Sequence, residues 1–238
     1  MGSTPFALGP ARVWHSDRRG GVSRAPYATA NVGAHVGDDP AAVDENRRRV
    51  ARAAGLPDPR EWVWLNQVHG TAVHVADAPT RTPPDADASV TARRGLPLAI
   101  LTADCAPIVL ASDDAVGAIH AGHRGLAGGV VERAVAALAA IGHGRIRAFL
   151  GPCIRPARYE FGSADLDRVV SALGPEVASV TAAGRPALDI PTGVRIALAR
   201  AGVDEVDDCG VCTSASLGHF SHRRDGITGR QVTIAVLP

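Results

Sequence analysis

The sequence of 238 residues contains no lysine: all 25 of its basic residues are arginine. That absence excludes Schiff-base lysine chemistry, pyridoxal phosphate attachment and the lysine of a phosphate-binding P-loop. An excess of one charge is also missing. The arginines face 24 acids and leave a formal net charge of +1, so there is no basic footprint for nucleic acid or an anionic membrane. Long hydrophobic runs are absent. The longest unbroken one, Ala134 to Ile141, falls far below the ~18 residues a membrane span requires. The first residues lack the basic-then-apolar pattern of a secretory signal. Cysteines are few (Cys105, Cys153, Cys209 and Cys212), which in a chain of this length is no disulfide framework. They read as buried thiols, metal ligands or a nucleophile in a reducing compartment, and the expected location is the cytoplasm. No exposed heptad or apolar stripe asks for a partner, so a monomer is expected.

What is present is an ordinary globular composition, 46% apolar and 21% charged, with enough chain for one continuous core. The segment Asp39 to Gly55 reads as a helix: Asp39 caps it, Pro40 suits the first turn and Gly55 the left-handed stop. Val43, Val50 and Ala54 share one face, and the arginine run Arg47–Arg49 is expected to face solvent. Trp62–Val68, Leu98–Thr102, Ile108–Leu110, Val116–Ile119, Arg145–Leu150 and Arg230–Leu237 read as strands. Leu126–Ala140, Ser163–Leu173 and Pro191–Ala201 read as helices. Strands and helices mix without strict alternation, which predicts one α/β or α+β domain.

Three metal-competent residues stand at the ends of apolar strands: His69, Cys105 and His120. The spacings, 36 and then 15 residues, are too long for a local zinc finger, so only the fold can bring them together. Two imidazoles and a thiolate would hold zinc with a fourth position left open, the catalytic arrangement rather than the structural one. The same residues also fit a Cys105 thiolate nucleophile paired with His69 or His120, or two core histidines and a buried thiol. The pair Cys209-Gly-Val-Cys212 lacks a second pair for a structural zinc site and reads as a strand-edge pair, with redox or metal roles as the alternatives. His219 to Asp225 is either an anion-orienting turn or a solvated hairpin, and Arg18-Arg19-Gly20-Gly21 carries the same two readings.

Taken in order, the motifs are recognisable. Asn31 to Asp38 with Asn46-Arg47, Asn66-Gln-Val-His69-Gly70, Thr102-Ala-Asp-Cys105-Ala-Pro107, His120-Ala-Gly-His-Arg-Gly125, Gly151-Pro-Cys-Ile154 with Tyr159-Glu-Phe161, and Phe220 to Asp225 with Thr228-Gly-Arg230 closely resemble the YfiH-like family. The match runs from Arg18 to Arg230. Members of that family carry the labels laccase-domain or multicopper polyphenol oxidase, peptidoglycan editing factor and purine nucleoside phosphorylase. The resemblance implies zinc ligands at His69, Cys105 and His120. It implies a single α/β (α+β) domain with β-sheet packed between helices, related in fold to cysteine-dependent toxin deamidases. It also implies phosphorolysis of adenosine, inosine, guanosine and S-methyl-5′-thioadenosine, with some adenosine deamination. Arg18, Asn31 and Arg223 fall on motif positions expected to line the substrate pocket. Two departures stand out. His123 replaces the usual Trp, and Arg155 replaces the usual Gly, where it would narrow the pocket or add an anion contact.

Four functions compete on this reading. The first is a zinc enzyme acting on purine nucleosides and phosphate. The second is a thiol hydrolase in which Cys105 attacks an amide of a cytoplasmic cell-wall precursor. The third, a Cu2+ polyphenol oxidase, is disfavoured because none of the nine histidines forms a His-x-His pair. The fourth is a binding module without catalysis.

Overall fold

A computed structural model describes Gly2 and residues 5–238 of the chain. Two sheets lie face to face between helices. The first is antiparallel and ordered Phe6–Leu8, Ala11–His15, Gln231–Val236, Leu98–Thr102. The second is mixed and ordered Val206–Asp208, Arg147–Leu150, Ala106–Ala111, Val116–Ala121, Ala88–Thr91, Val73–Val75. Its two edge pairs run parallel and its interior pairs antiparallel. A small hairpin joins Ala178–Val180 to Pro186–Leu188. The architecture is α+β in a single domain, and no helix among the described residues is long and apolar enough to cross a membrane.

Alternation along the strands explains the layers, because successive side chains point to opposite faces of a sheet. Ile108 and Leu110 enter the cluster shared with the helices Val130–Ile141, Ser163–Leu173 and Ile190–Arg200. Val109 and Ala111, one residue out of phase, enter the cluster between the sheets with Leu98 and Ile100. Ala99 and Leu101 then face a third cluster built on Val50, Ala51 and Ala54 of the helix Pro40–Ala54. Strands buried on both faces carry near-continuous apolar runs, which is why Leu98–Thr102 and, with Thr233 in its middle, Gln231–Val236 read so clearly.

The capped helix forms where its punctuation predicts: the Asp39 side chain accepts the Ala41 N–H, and Gly55 closes the end at φ 65°. Its arginine run divides. Arg48 and Arg49 pair with Glu45, whereas Arg47 turns inward and lies 4.1 Å over the Trp64 ring. Trp62–Val68 forms no continuous strand, only bridges at Val63 and Asn66. Its polar groups go elsewhere: the indoles of Trp62 and Trp64 donate to the carbonyls of Pro57 and Pro59, and the Trp64 N–H donates to the Thr80 hydroxyl. The predicted helix at Leu126–Ala140 is two, His123–Ala127 and Val130–Ile141. Gly129, at φ 89°, adopts the left-handed conformation that breaks them apart.

Asn46, fully buried on the long helix, ties the amino-terminal loop to this frame. Its Nδ2 donates to Ser23 Oγ (2.8 Å) and to the Asn31 carbonyl (2.8 Å), and its Oδ1 accepts the Val22 N–H (2.8 Å). Asn46→Ala takes the partner away from the Asn31 carbonyl and the Val22 N–H, while Ser23 keeps its bond to Asp38. Urea denaturation should show a loss of about 2–4 kcal/mol, since each stranded group costs about 1–3; a loss below about 0.5 kcal/mol would contradict this role.

Candidate metal centre

His69, Cys105 and His120 come from three separate pieces of chain and meet. One ligand atom from each lies within 4.8 Å of the other two. Cys105 Sγ is 4.0 Å from His69 Nε2, and the two imidazoles stand edge to face with centroids 4.8 Å apart. Cys105 occupies the turn where the chain leaves the antiparallel sheet at Thr102 and enters the mixed sheet at Ala106. His120 lies within the strand Val116–Ala121 rather than beyond it, opposite Pro107. By alternation it shares the inter-sheet face of Ala118.

Two carboxylates hold this arrangement. Among the described residues only His69 (φ 59°) and Asp104 (φ 100°) are non-glycine residues with left-handed φ, a conformation that costs about 1–3 kcal/mol and persists only when neighbours impose it. Asp87, wholly buried, imposes the first. Its carboxylate accepts the N–H groups of Val68 (3.2 Å), His69 (3.0 Å) and Gly70 (2.7 Å). It also bonds His120 Nδ1 at 2.8 Å, which turns the other ring nitrogen toward the cluster. Asp104 is held by the Thr213 hydroxyl (2.6 Å) and the Arg223 N–H (2.6 Å), while its carbonyl accepts the Ile154 N–H (2.8 Å). Neither carboxylate was picked out by sequence reasoning. The one signal for Asp87 is an acid flanked by alanines at the start of a wholly buried strand.

The electrostatics favour a charged pair. Burial opposes the Cys105 thiolate, but the charge of His120 and hydrogen bonds from His120 and His69 outweigh it and bring the thiol down to about 6. Burial likewise opposes protonated His120, yet Cys105 and Asp87 raise it to about 9. A metal ion fits the same donors. The space is kept clear by Gly122, where a Cβ would stand 2.9 Å from the His69 ring and 3.2 Å from Cys105 Sγ. A thiolate and two imidazoles, one oriented by a carboxylate, are a donor set that would hold a metal ion of the zinc type.

An aromatic wall stands beside the cluster. His123 meets Phe161 edge on (5.0 Å), Phe161 meets Tyr159 (5.1 Å), and the Arg223 guanidinium lies 4.7 Å over the Tyr159 ring. Burial, then Arg124, lowers the His123 pKa and keeps that ring neutral at pH 7. Arg18 lies 4.8 Å over Phe220 and pairs with Asp225. Asn31 is fully buried, with Nδ2 donating to Gly33 and Asp38 and Oδ1 accepting the N–H groups of Gly33 and Arg230. Arg155 is clamped by Asp208, which also binds Arg195, so its charge is answered inside the protein. Cys212 and Cys153 face each other across a parallel backbone β-bridge with both thiols free, and among the described residues no second trio of metal-competent atoms gathers as the first does.

The family model described as multi-copper polyphenol oxidoreductase laccase matches residues 12–238, and the chain belongs to that family. It is 49% identical to purine nucleoside phosphorylase ORF3 of Streptomyces griseus over 234 residues, covering 95% of this chain and 94% of that one. Among solved structures, Neisseria meningitidis protein NMB0706 superposes with a TM-score of 0.88 at 35% identity, over 100% of this chain and 98% of that one. The Bacillus licheniformis hypothetical protein YfiH superposes with a TM-score of 0.89 at 28% identity, over 96% and 93%. The resemblance to YfiH-like proteins carried by the motifs therefore extends to the whole fold.

Two outcomes follow from the geometry. Asp87→Ala, which frees the His120 ring, should weaken metal binding about 10–100-fold in a chelator competition titration; unchanged affinity would contradict the orienting role. In metal-free protein the depressed thiol should be alkylated by iodoacetamide with a midpoint near pH 6, the rate falling as pH drops through that value and the thiolate is protonated. A midpoint near the free-thiol value of about 8.5 would contradict it.

Proposed function

We propose that the protein is a zinc-dependent purine nucleoside phosphorylase, acting on adenosine, inosine, guanosine and S-methyl-5′-thioadenosine, with adenosine deamination as a side reaction. The observation that carries this reading is the gathering of His69, Cys105 and His120, in a chain 49% identical to a protein named purine nucleoside phosphorylase. These three residues would hold the ion, and zinc there supplies Lewis acidity toward a substrate oxygen or nitrogen. Zinc suits one thiolate with two imidazoles. A multicopper oxidase would need several centres, and the described residues gather one.

In phosphorolysis an oxygen of phosphate forms a bond to C1′ of the ribose as the C1′–N9 bond breaks. The electron pair goes to the purine, which takes up a proton. The chain's own residues position the reactants. Tyr159, Phe161 and His123 offer ring faces and edges to the base. Arg223, held over Tyr159 and by the Glu160 carbonyl, and Arg18 border the nucleoside. Asn31 acts by fixing the loop rather than by direct contact, since both polar atoms of its side chain are already bonded. Asp87 keeps His120 in one tautomer and His69 in its turn.

A second reading has one observation in its favour: Cys105 lowered to about 6 beside His120 raised to about 9, oriented by a carboxylate, is also the arrangement of a thiol hydrolase. The two separate cleanly. Chromatography of zinc-loaded protein with adenosine should give adenine only when phosphate is present, and none with Cys105→Ala. Inosine formed without phosphate reports deamination. No purine product from metal-replete protein, with a trapped acyl-enzyme on Cys105, would overturn the phosphorylase reading in favour of the hydrolase.

A further inference from the structure

Most arginines of this protein are answered by carboxylates: Arg18 and Arg224 by Asp225, Arg155 and Arg195 by Asp208, Arg60 by Asp58, Arg147 by Glu205. Two half-buried ones are not. Arg47 donates Nε to the Val32 carbonyl (2.9 Å) and lies flat on Trp64, while its two terminal nitrogens have no partner among the described residues. Arg230 donates Nη1 to the carbonyls of Thr228 and Gly229 (both 3.0 Å), and its Nη2 has no partner among the described residues. Neither lies in a salt bridge among the described residues: the acidic influences are Asp44 on Arg47, and Cys105 and Asp104 on Arg230. A partly desolvated guanidinium with no directly bonded carboxylate is costly, and here two adjoin one short loop.

That loop is Asn31 to His35. Val32 touches Arg47. Gly33 presses on Arg230 so closely that a Cβ there would stand 2.8 Å from its Cγ. Asn31 Oδ1 accepts the Arg230 N–H at 2.8 Å, so the buried amide fixes the loop and the second arginine together. His35 follows, and the charges that bear on it are Arg230, Arg47, His120 and His69. His35 and Arg47 also line a groove of about 970 Å³, with Asp44 and Asp58 on its wall, that reaches Leu101 of the strand Leu98–Thr102 and Asn66 in the segment running into His69. Gln67 pins that segment to Leu101.

We infer that inorganic phosphate, the nucleophile of the proposed reaction, binds between Arg47 and Arg230 beside His35. This rests on the phosphorylase reading for its role in turnover, but not for binding. Two guanidinium groups match a dianion, and their unbonded nitrogens supply the donors it needs. Of the two arginines that the motifs offer for the substrate pocket, Arg18 already faces Asp225, and Arg223 lies over Tyr159 with a nitrogen on the Glu160 carbonyl. Bound there, phosphate adds an oxygen to C1′ while the purine departs with the electron pair of the broken bond and a proton, and the nucleoside lies on the opposite, aromatic side.

The test is calorimetric titration of the whole protein with inorganic phosphate alone, compared with Arg47→Gln, Arg230→Gln and a remote control, Arg145→Gln. Circular dichroism establishes that each variant is folded, and Arg230→Gln carries the test if Arg47→Gln is not. The expected result is phosphate binding to wild type and control, weakened at least tenfold in either site variant. In turnover the KM for phosphate should rise by a similar factor while the KM for nucleoside stays within twofold. No binding to wild type at millimolar phosphate, or equal affinity in the site variants, would overturn the inference. Binding lost in the variants without any purine release by wild type would uphold the anion site and overturn the phosphorylase reading.

Discussion

The candidate site depends on one buried carboxylate. Asp87 accepts three successive backbone N–H groups around His69 and bonds the ring of His120, so a single side chain sets the turn that carries one imidazole and the tautomer of the other. Burial alone would raise its pKa; the His120 hydrogen bond and the backbone donors outweigh burial and keep it ionised. A buried charge with this many donors is stable where an unpaired one would not be. The left-handed backbone of His69 persists because leaving that turn would break several of these bonds at once.

The third ligand depends on topology. Cys105 stands where the chain passes from one sheet to the other, between the strands Leu98–Thr102 and Ala106–Ala111. The two sheets share the apolar layer of Leu98, Ile100, Val109 and Ala118, which fixes their relative position and therefore the place of the thiol opposite His120. Asp104 and Gly122 complete the corner, one by anchoring the strained residue before the cysteine, the other by having no side chain to fill the space. Rigid sheets carry the ligands, and the loops around Asn31, Tyr159 and Arg223 carry the groups suited to substrate, a division of labour expected of a site held to within fractions of an ångström.

Much of this was legible in the chain, unevenly and for physical reasons. The helix Pro40–Ala54 could be bounded by its caps and the helix Ser163–Leu173 by its apolar periodicity, because both are local signals. Trp62–Val68 looked like a strand because its apolar residues suit one, yet its polar groups are taken by prolyl carbonyls and by Thr80, which no periodicity reports. The metal trio could be listed as strand-end residues but only the fold brings it together. Asp87 stayed hidden because its partner His120 is 33 residues away. Arg47 was lost in an arginine run that reads as a solvated face; only the position of Trp64 shows that it turns inward.

The chemistry of the site depends on His69, Cys105 and His120 binding one metal ion together. X-ray absorption at the zinc edge of the zinc-loaded protein tests it most directly. The predicted spectrum has one sulfur near 2.3 Å and two imidazole nitrogens near 2.0–2.1 Å, with the sulfur contribution lost in Cys105→Ala. A shell of oxygen and nitrogen alone, or a sulfur signal that survives the substitution, would contradict it.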